Sequence, residues 1–222
     1  MSVVEEATAK SGLVANSLGL SAERCRHSRA KRVIDIAGAG IGLVLLSPLL
    51  LFLALATKGQ DAGPVFFRQR RSGLNGQEFL IWKFRTMRHD PAQTEFHQTN
   101  GRDDPRVTRL GRWMRSNNLD ELPQLLNVIT GDMSLVGPRP HPVALDRELE
   151  PLADHYRLRH LVKPGITGLA QISGHRGAVK SAQALEQRLT SDLHYIRNWS
   201  LMKDFAIIIK TVASRPAFDN AY

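Results

Sequence analysis

Twenty-one consecutive residues, Ile36 to Ala56, are almost purely apolar, and a proline sits in their middle. That length matches the roughly 20 residues a helix needs to cross a bilayer core. A buried core helix is the bland alternative, but here apolar side chains coat every face. A cleaved leader is another, since Ala54-Leu55-Ala56 mimics a small-residue cleavage site. The run starts only at residue 36, however, and Pro48 interrupts it. Pro48 removes a backbone donor and clashes with the preceding turn, so the helix kinks or breaks there. Ser47 is placed to bond a carbonyl that the break frees. Basic residues flank both ends: Arg29, Lys31 and Arg32 before, then Lys58, Arg68, Arg70 and Arg71 after. Positive flanks stay on the cytoplasmic side. A straight span cannot satisfy both flanks, whereas a hairpin that dips in and returns can. The expectation is a re-entrant helix-break-helix over residues 31–58, with a simple bitopic anchor as the competing reading.

The remaining sequence is basic. Thirty Lys and Arg against 21 Asp and Glu leave a net charge of +9 over 222 residues. Such an excess points to an anionic partner: nucleic acid, acidic lipid or a phosphorylated substrate. Aromatic residues are only 6%, which is poor for base stacking, and the apolar run also speaks against nucleic acid. The lone Cys25 excludes an intramolecular disulfide framework and a Cys-rich zinc site. The length allows one domain, with or without a small appendage.

The pattern reads as an α+β fold, mostly helical. Residues 1–30 lack a durable apolar period and are expected to be a mobile extension. After the apolar hairpin, residues 59–222 form the main domain. Val65–Arg70 and Glu78–Phe84 are rich in β-formers around Asn75-Gly76, a β-hairpin signal. His89–Arg102 is polar and reads as loop or short irregular helix. A helix is expected over Asp120–Thr130, with Leu122, Leu125, Leu126 and Ile129 as its apolar face and Gly131 as its end. Leu145–Leu161 reads as another helix. Gly137-Pro138-Arg139-Pro140 and Lys163–Gly168 read as loops. Leu185, Leu189, Leu193 and Ile196 recur at helical spacing, and Leu201–Val212 is amphipathic.

Asp120-Glu121-Leu122-Pro123 is the sharpest local feature. Pro is tolerated only in the first turn of a helix, so Asp120 should lie at or beside the N-cap. Such a residue can be a plain cap. Basic residues in loops and strands shift the weighting: Arg68, Arg71, Lys83, Arg85, Arg106, Arg112, Arg115, Arg139 and Lys163. Arg offers a planar fork that matches phosphate oxygens. A carboxylate beside such cations can attack phosphorus and form an acyl-phosphate. An adjacent carboxylate can hold Mg2+. No phosphate-binding loop, nucleophile-elbow or H-E-x-x-H motif is present.

Several stretches together resemble the bacterial sugar transferase family, the monotopic polyprenol-phosphate sugar-1-phosphate transferases. They are Lys31-Arg32-x-x-Asp35 with the Ser47-Pro48 break, Val65-Phe66-Phe67-Arg68-Gln69-x-Arg71, Lys83-Phe84-Arg85-Thr86-Met87, Asp104-Pro105-Arg106, Leu119–Leu125, Gly131–Pro140, Lys163–Gly168 and Tyr195–Ser200. The resemblance runs in order from about Lys31 to the C-terminus. It implies an enzyme at the cytoplasmic face of a bacterial inner membrane. Such an enzyme moves a sugar-1-phosphate from a UDP-sugar, galactose or glucose, to undecaprenyl phosphate and releases UMP. By motif position, Asp120 is the nucleophile and Glu121 the Mg2+ ligand. Arg115 binds phosphate, Arg139 contacts the nucleotide, and Lys83 and Arg85 are further anion ligands. Ser47 and Pro48 make the bend, with Lys31, Arg32 and Asp35 at its mouth. Membrane lipid is a partner, nucleic acid is not, and a homo-oligomer is compatible. The competing reading is a non-enzymatic, membrane-docked scaffold for polysaccharide assembly.

Overall fold

A computed structural model describes residues 17–89, 104–175, 177, 179 and 181–213. The fold mixes helices with two small sheets. Residues 17–27 are helical (α1). Leu18, Ala22 and Cys25 line one stripe of α1, buried against Val136, Tyr195, Ile196 and Ile207. This corrects the reading of residues 1–30 as a mobile extension: from residue 17 the chain is part of the core. Residues 1–16 lie outside the described residues. The stripe offers only about one apolar residue per turn, too little to show as a period.

Helix α2 (Arg29–Leu45) starts at Ser28, whose hydroxyl accepts from the Lys31 N–H at 3.2 Å. Helix α3 (Ser47–Lys58) follows after Leu46, with Pro48 in its first turn. The two helices are bent by 63° at this break. The cause is local. In an unbroken helix the Val44 carbonyl accepts from residue 48, and a proline there has no N–H to give. The Ser47 hydroxyl donates to that carbonyl instead, at 2.8 Å. Helix-break-helix is therefore the observed geometry, although among the described residues no single helix is long and apolar enough to cross a membrane.

Strands β1 (Phe66–Ser72) and β2 (Glu78–Phe84) form the expected antiparallel hairpin, with Asn75 and Gly76 both at positive φ in the turn. Ile81 of β2 packs on Leu125 and Val128 of α5 (Gln124–Thr130). Phe84 packs on Leu53 of α3 and Met114 of α4 (Arg109–Ser116). The hairpin thus bridges the bent pair and the segment that carries Asp120 and Glu121.

Four local expectations are corrected. Leu119–Glu121 is a separate 3-10 turn, and α5 begins only after Pro123. Asp120 therefore caps nothing. Leu126 and Ile129 of α5 are more than a third exposed, while Gln124 and Asn127 are buried; Asn127 turns inward because it bonds the β2 backbone at Trp82 and Leu80. Leu145–Leu161 is broken into α6 (Val143–Leu149) and two 3-10 segments, Glu150–Leu152 and Tyr156–Leu161, with Pro151 at the break. Part of the 163–168 loop is strand β4 (Gly165–Thr167), parallel to β3 (Ser134–Val136). A side chain at Gly165 would collide with the Gly137 backbone, its Cβ only 2.1 Å from the amide nitrogen. The polar stretch after His89 lies, from residue 90, outside the described residues.

The C-terminal part holds the short α7 (Leu169–Ile172), α8 (Ala182–Arg197) and α9 (Leu201–Ala213). Lys31 of α2 reaches them: its ammonium donates to Asp204 Oδ2 at 2.7 Å and to the Val136 carbonyl at 3.0 Å. Asp35 accepts from Ser134 Oγ and the Leu135 N–H. Arg32 donates to the Val128 and Ile129 carbonyls near the end of α5. Lys31, Arg32 and Asp35, just before the apolar run, are thus fasteners to the main domain.

Candidate active site

Asp120 and Glu121 sit on the 3-10 turn between α4 and α5, and both are buried. Asn118 ahead of them adopts a left-handed conformation, φ 56°, which turns the chain sharply. Gly111 lets α4 lie against the Thr86 carbonyl, so the turn is brought under β2.

Three predicted cations meet this pair. Lys83 Nζ lies 2.8 Å from Glu121 Oε1. Arg139 grips the same carboxylate with both ends of its fork, Nη2 to Oε1 at 2.5 Å and Nη1 to Oε2 at 3.0 Å. Arg115 donates to Thr86 Oγ1 at 2.8 Å and adds positive potential at Asp120. No described side chain hydrogen-bonds to Asp120, which is attracted through space by Lys83, Arg115 and Arg139. Burial pushes the Asp120 carboxyl above the usual carboxylate range, and the three cations pull against that rise. Burial pushes the Lys83 ammonium down, with Glu121 opposing. The arrangement sets a dehydrated carboxylate among cations that favour its ionised form, the setting that a nucleophile facing an anion would need.

Arg85 is not brought to the pair. It is buried beside α3, ion-paired to Asp61 at 2.6 Å and reaching the Thr57 carbonyl. Ser47 and Pro48 form the bend, and Lys31, Arg32 and Asp35 fasten it, away from Asp120.

Reading the sequence missed the support behind Arg139. Arg159, fully buried, donates to the Arg139 carbonyl at 2.7 Å and to Asp192 of α8 at 3.0 Å. Arg71 donates to the Pro140 carbonyl at 2.8 Å. His141, Tyr156 and Asp146 complete the buried network. Nothing local marks a buried Arg; the only sequence signal is that Arg159 and Asp192 sit inside otherwise apolar patterns. A cavity of about 430 Å³ beside the hairpin turn, lined by residues such as Ser72, Asp146, Arg147 and His160, includes neither carboxylate of the pair.

No group of three His, Cys, Asp or Glu side chains gathers among the described residues. Mg2+ needs no such cage, because it binds through one or two carboxylates plus substrate phosphates. The consecutive Asp120 and Glu121, hard oxygen donors, fit that requirement.

A family model described as bacterial sugar transferase matches residues 26–215. The UDP-glucose:undecaprenyl-phosphate glucose-1-phosphate transferase of Caulobacter vibrioides is 47% identical over 192 residues, 86% of this chain and 72% of that protein. The Escherichia coli K12 protein of the same name is 48% identical over 185 residues, 82% of this chain and 39% of its own length. The exopolysaccharide production protein PSS of Rhizobium leguminosarum bv. phaseoli is 43% identical over 187 residues, 83% of this chain and 94% of its own. The chain thus spans well under half of the E. coli relative.

Proposed function

The chain belongs to the bacterial sugar transferase family, and from that premise we propose that it transfers a sugar-1-phosphate from a UDP-sugar to undecaprenyl phosphate, with release of UMP, in exopolysaccharide synthesis. The observation that carries this reading is a buried Asp120–Glu121 pair ringed by Lys83, Arg115 and Arg139. Glucose is the favoured sugar, because the names of similar proteins specify it.

In the first half-reaction an Asp120 oxygen attacks the sugar-bearing phosphorus. A new phosphorus–oxygen bond forms to Asp120, and the bridging bond to UMP breaks. Arg139 and Lys83, already placed on Glu121, neutralise charge that builds on the diphosphate. In the second half-reaction an oxygen of undecaprenyl phosphate attacks the same phosphorus. The Asp120 carboxylate is restored and the sugar leaves on the lipid diphosphate. Mg2+ held through Glu121 would supply further charge neutralisation at the phosphates.

A membrane setting is part of the proposal. Ile41, Val44, Leu45, Leu51, Phe52 and Leu55 of the bent pair are exposed, as are Met202, Phe205, Ile209 and Val212 of α9. Apolar surface of this extent marks a lipid or protein contact. The bent pair would enter the inner leaflet from the cytoplasmic side, with α9 along the interface.

The test is UMP release from a panel of UDP-sugars in the presence of undecaprenyl phosphate. The wild-type chain is expected to act on UDP-glucose. Asp120→Asn should abolish release, and Glu121→Gln or chelation of Mg2+ should lower it at least a hundredfold. An Asp120→Asn protein of near-wild-type activity would remove the proposed nucleophile. A wild-type protein that is inert on every UDP-sugar would favour the scaffold reading.

A further inference from the structure

The hairpin face that carries Lys83 carries two further groups. The register pairs Phe67 with Lys83, Gln69 with Ile81 and Arg71 with Phe79, so all six point to one side of the sheet. Gln69 is the diagonal neighbour of Lys83, roughly 7–8 Å away across the strand pair. Gln69 Oε1 accepts from Arg71 Nη2 at 2.7 Å, which fixes how the carboxamide points. Its Nε2 is turned the other way and is without an acceptor among the described residues, although the residue is only 9% exposed. Arg71 Nε is likewise buried without an acceptor among them.

A buried donor left unmade is costly, and native folds rarely tolerate one without a reason. Here two such donors occupy adjacent same-face positions of one strand, next to a cluster of cations. Arg71 feels both Arg139 and Glu121. Burial, and then the Arg139 charge, lower its proton affinity to about 9. Lys83, Arg115 and Arg139 all act on Asp120, and Arg71 adds a fourth cation that is drawn to Glu121 and to Asp146. A nucleotide sugar carries two negative charges on its diphosphate.

We propose that Gln69 and Arg71 are substrate-binding residues whose Nε2 and Nε donate to phosphate oxygens at the nucleotide end of the UDP-sugar. The proposal rests on the transferase reading and extends its binding site from the motif cations to strand β1. Arg71, tied to the Pro140 carbonyl, sets this donor pair in fixed register with Arg139. The neutral Gln69 adds a directional donor where a further charge would overload the site.

Gln69→Glu separates binding from folding. The variant keeps the oxygen that accepts from Arg71, loses the Nε2 donor and places negative charge where the phosphate would lie. UMP affinity, read by calorimetry in detergent, and the KM for UDP-glucose should each worsen at least tenfold, with an unfolding midpoint no lower than that of the wild type. UMP affinity within twofold of the wild type in folded Gln69→Glu protein overturns the proposal. Should that variant not fold, the wild type still decides. With 15N labelling, saturating UMP should shift the Gln69 side-chain amide resonance, and an unmoved resonance overturns the proposal. Failure of the transferase reading has a different signature: a wild-type protein that binds UMP through Gln69 but releases none from any UDP-sugar.

Discussion

Asp120 works under two opposing pressures. Burial makes its carboxyl easier to protonate, while Lys83, Arg115 and Arg139 favour the ionised form. The net direction is upward, so the ionised form is reached only above the ordinary aspartate value of about 4. Lys83 is displaced the other way, because burial favours its neutral form. As pH falls through the raised Asp120 value, the proposed nucleophile is protonated and the rate should drop. As pH rises through the lowered Lys83 value, the ammonium on Glu121 is lost and the rate drops again. The pH profile of kcat/KM for UMP release should therefore be a bell with both limbs moved inward. An acid limb at or below about 4 would show that burial does not govern Asp120. The principal residues of this site were legible because each lies in a short motif with a chemical reason for its type. Arg85 was misassigned because its partner Asp61 lies 24 positions away, a pairing set by the approach of α3 to β2. Gln69 was invisible as a ligand because a neutral amide carries no charge signal.

At the scale of elements, α2 is joined to the rest by a buried ion pair. Lys31 and Asp204 lie 2.7 Å apart with side chains less than a tenth exposed, and Tyr195 and Trp199 also donate to Asp204. Removing one partner leaves the other charge stranded. Lys31→Met should cost about 3–5 kcal/mol of unfolding free energy. Lys31→Met with Asp204→Leu should recover most of that loss, since a buried pair contributes little net stability against apolar replacements. Denaturant unfolding in detergent, run as a double-mutant cycle with Asp204→Leu as the other single variant, measures both; a loss in the double variant equal to the sum of the two single losses would mean that the charges do not act as a pair. The helices with strong periods, α8 and α9, the β-hairpin and the break at Pro48 were all readable from sequence. Strand β4 was not, because three residues with glycine at one end carry no alternation, and its partner β3 lies some 30 positions upstream. The 145–161 segment was overread because an apolar spacing persists across Pro151.

On the proposed reading, the whole molecule would hold its site near a membrane through the geometry of one bend. Helix α2 has 17 residues and α3 has 12, or about 25 and 18 Å at 1.5 Å per residue. With a 63° bend and both outer ends in one plane, the apex at Leu46 lies about 11 Å below that plane. That depth stays within one leaflet of a hydrocarbon core about 30 Å thick. A straight helix over residues 29–58 would instead be about 45 Å long and would cross it. Single cysteines at Ala30 and Gln60, both exposed, placed in a Cys25→Ala background, should label from the cytoplasmic face alone. Pro48→Ala restores the N–H that the Val44 carbonyl lacks, so it should straighten part of the population and let residue 60 label from the opposite face. The same variant should lose UMP release in proportion, because a straightened α3 carries Leu53 away from Phe84 and Met114 and takes the support from beneath β2. Opposite-face labelling of residues 30 and 60 in the unmutated proline background would replace the hairpin with a bitopic anchor.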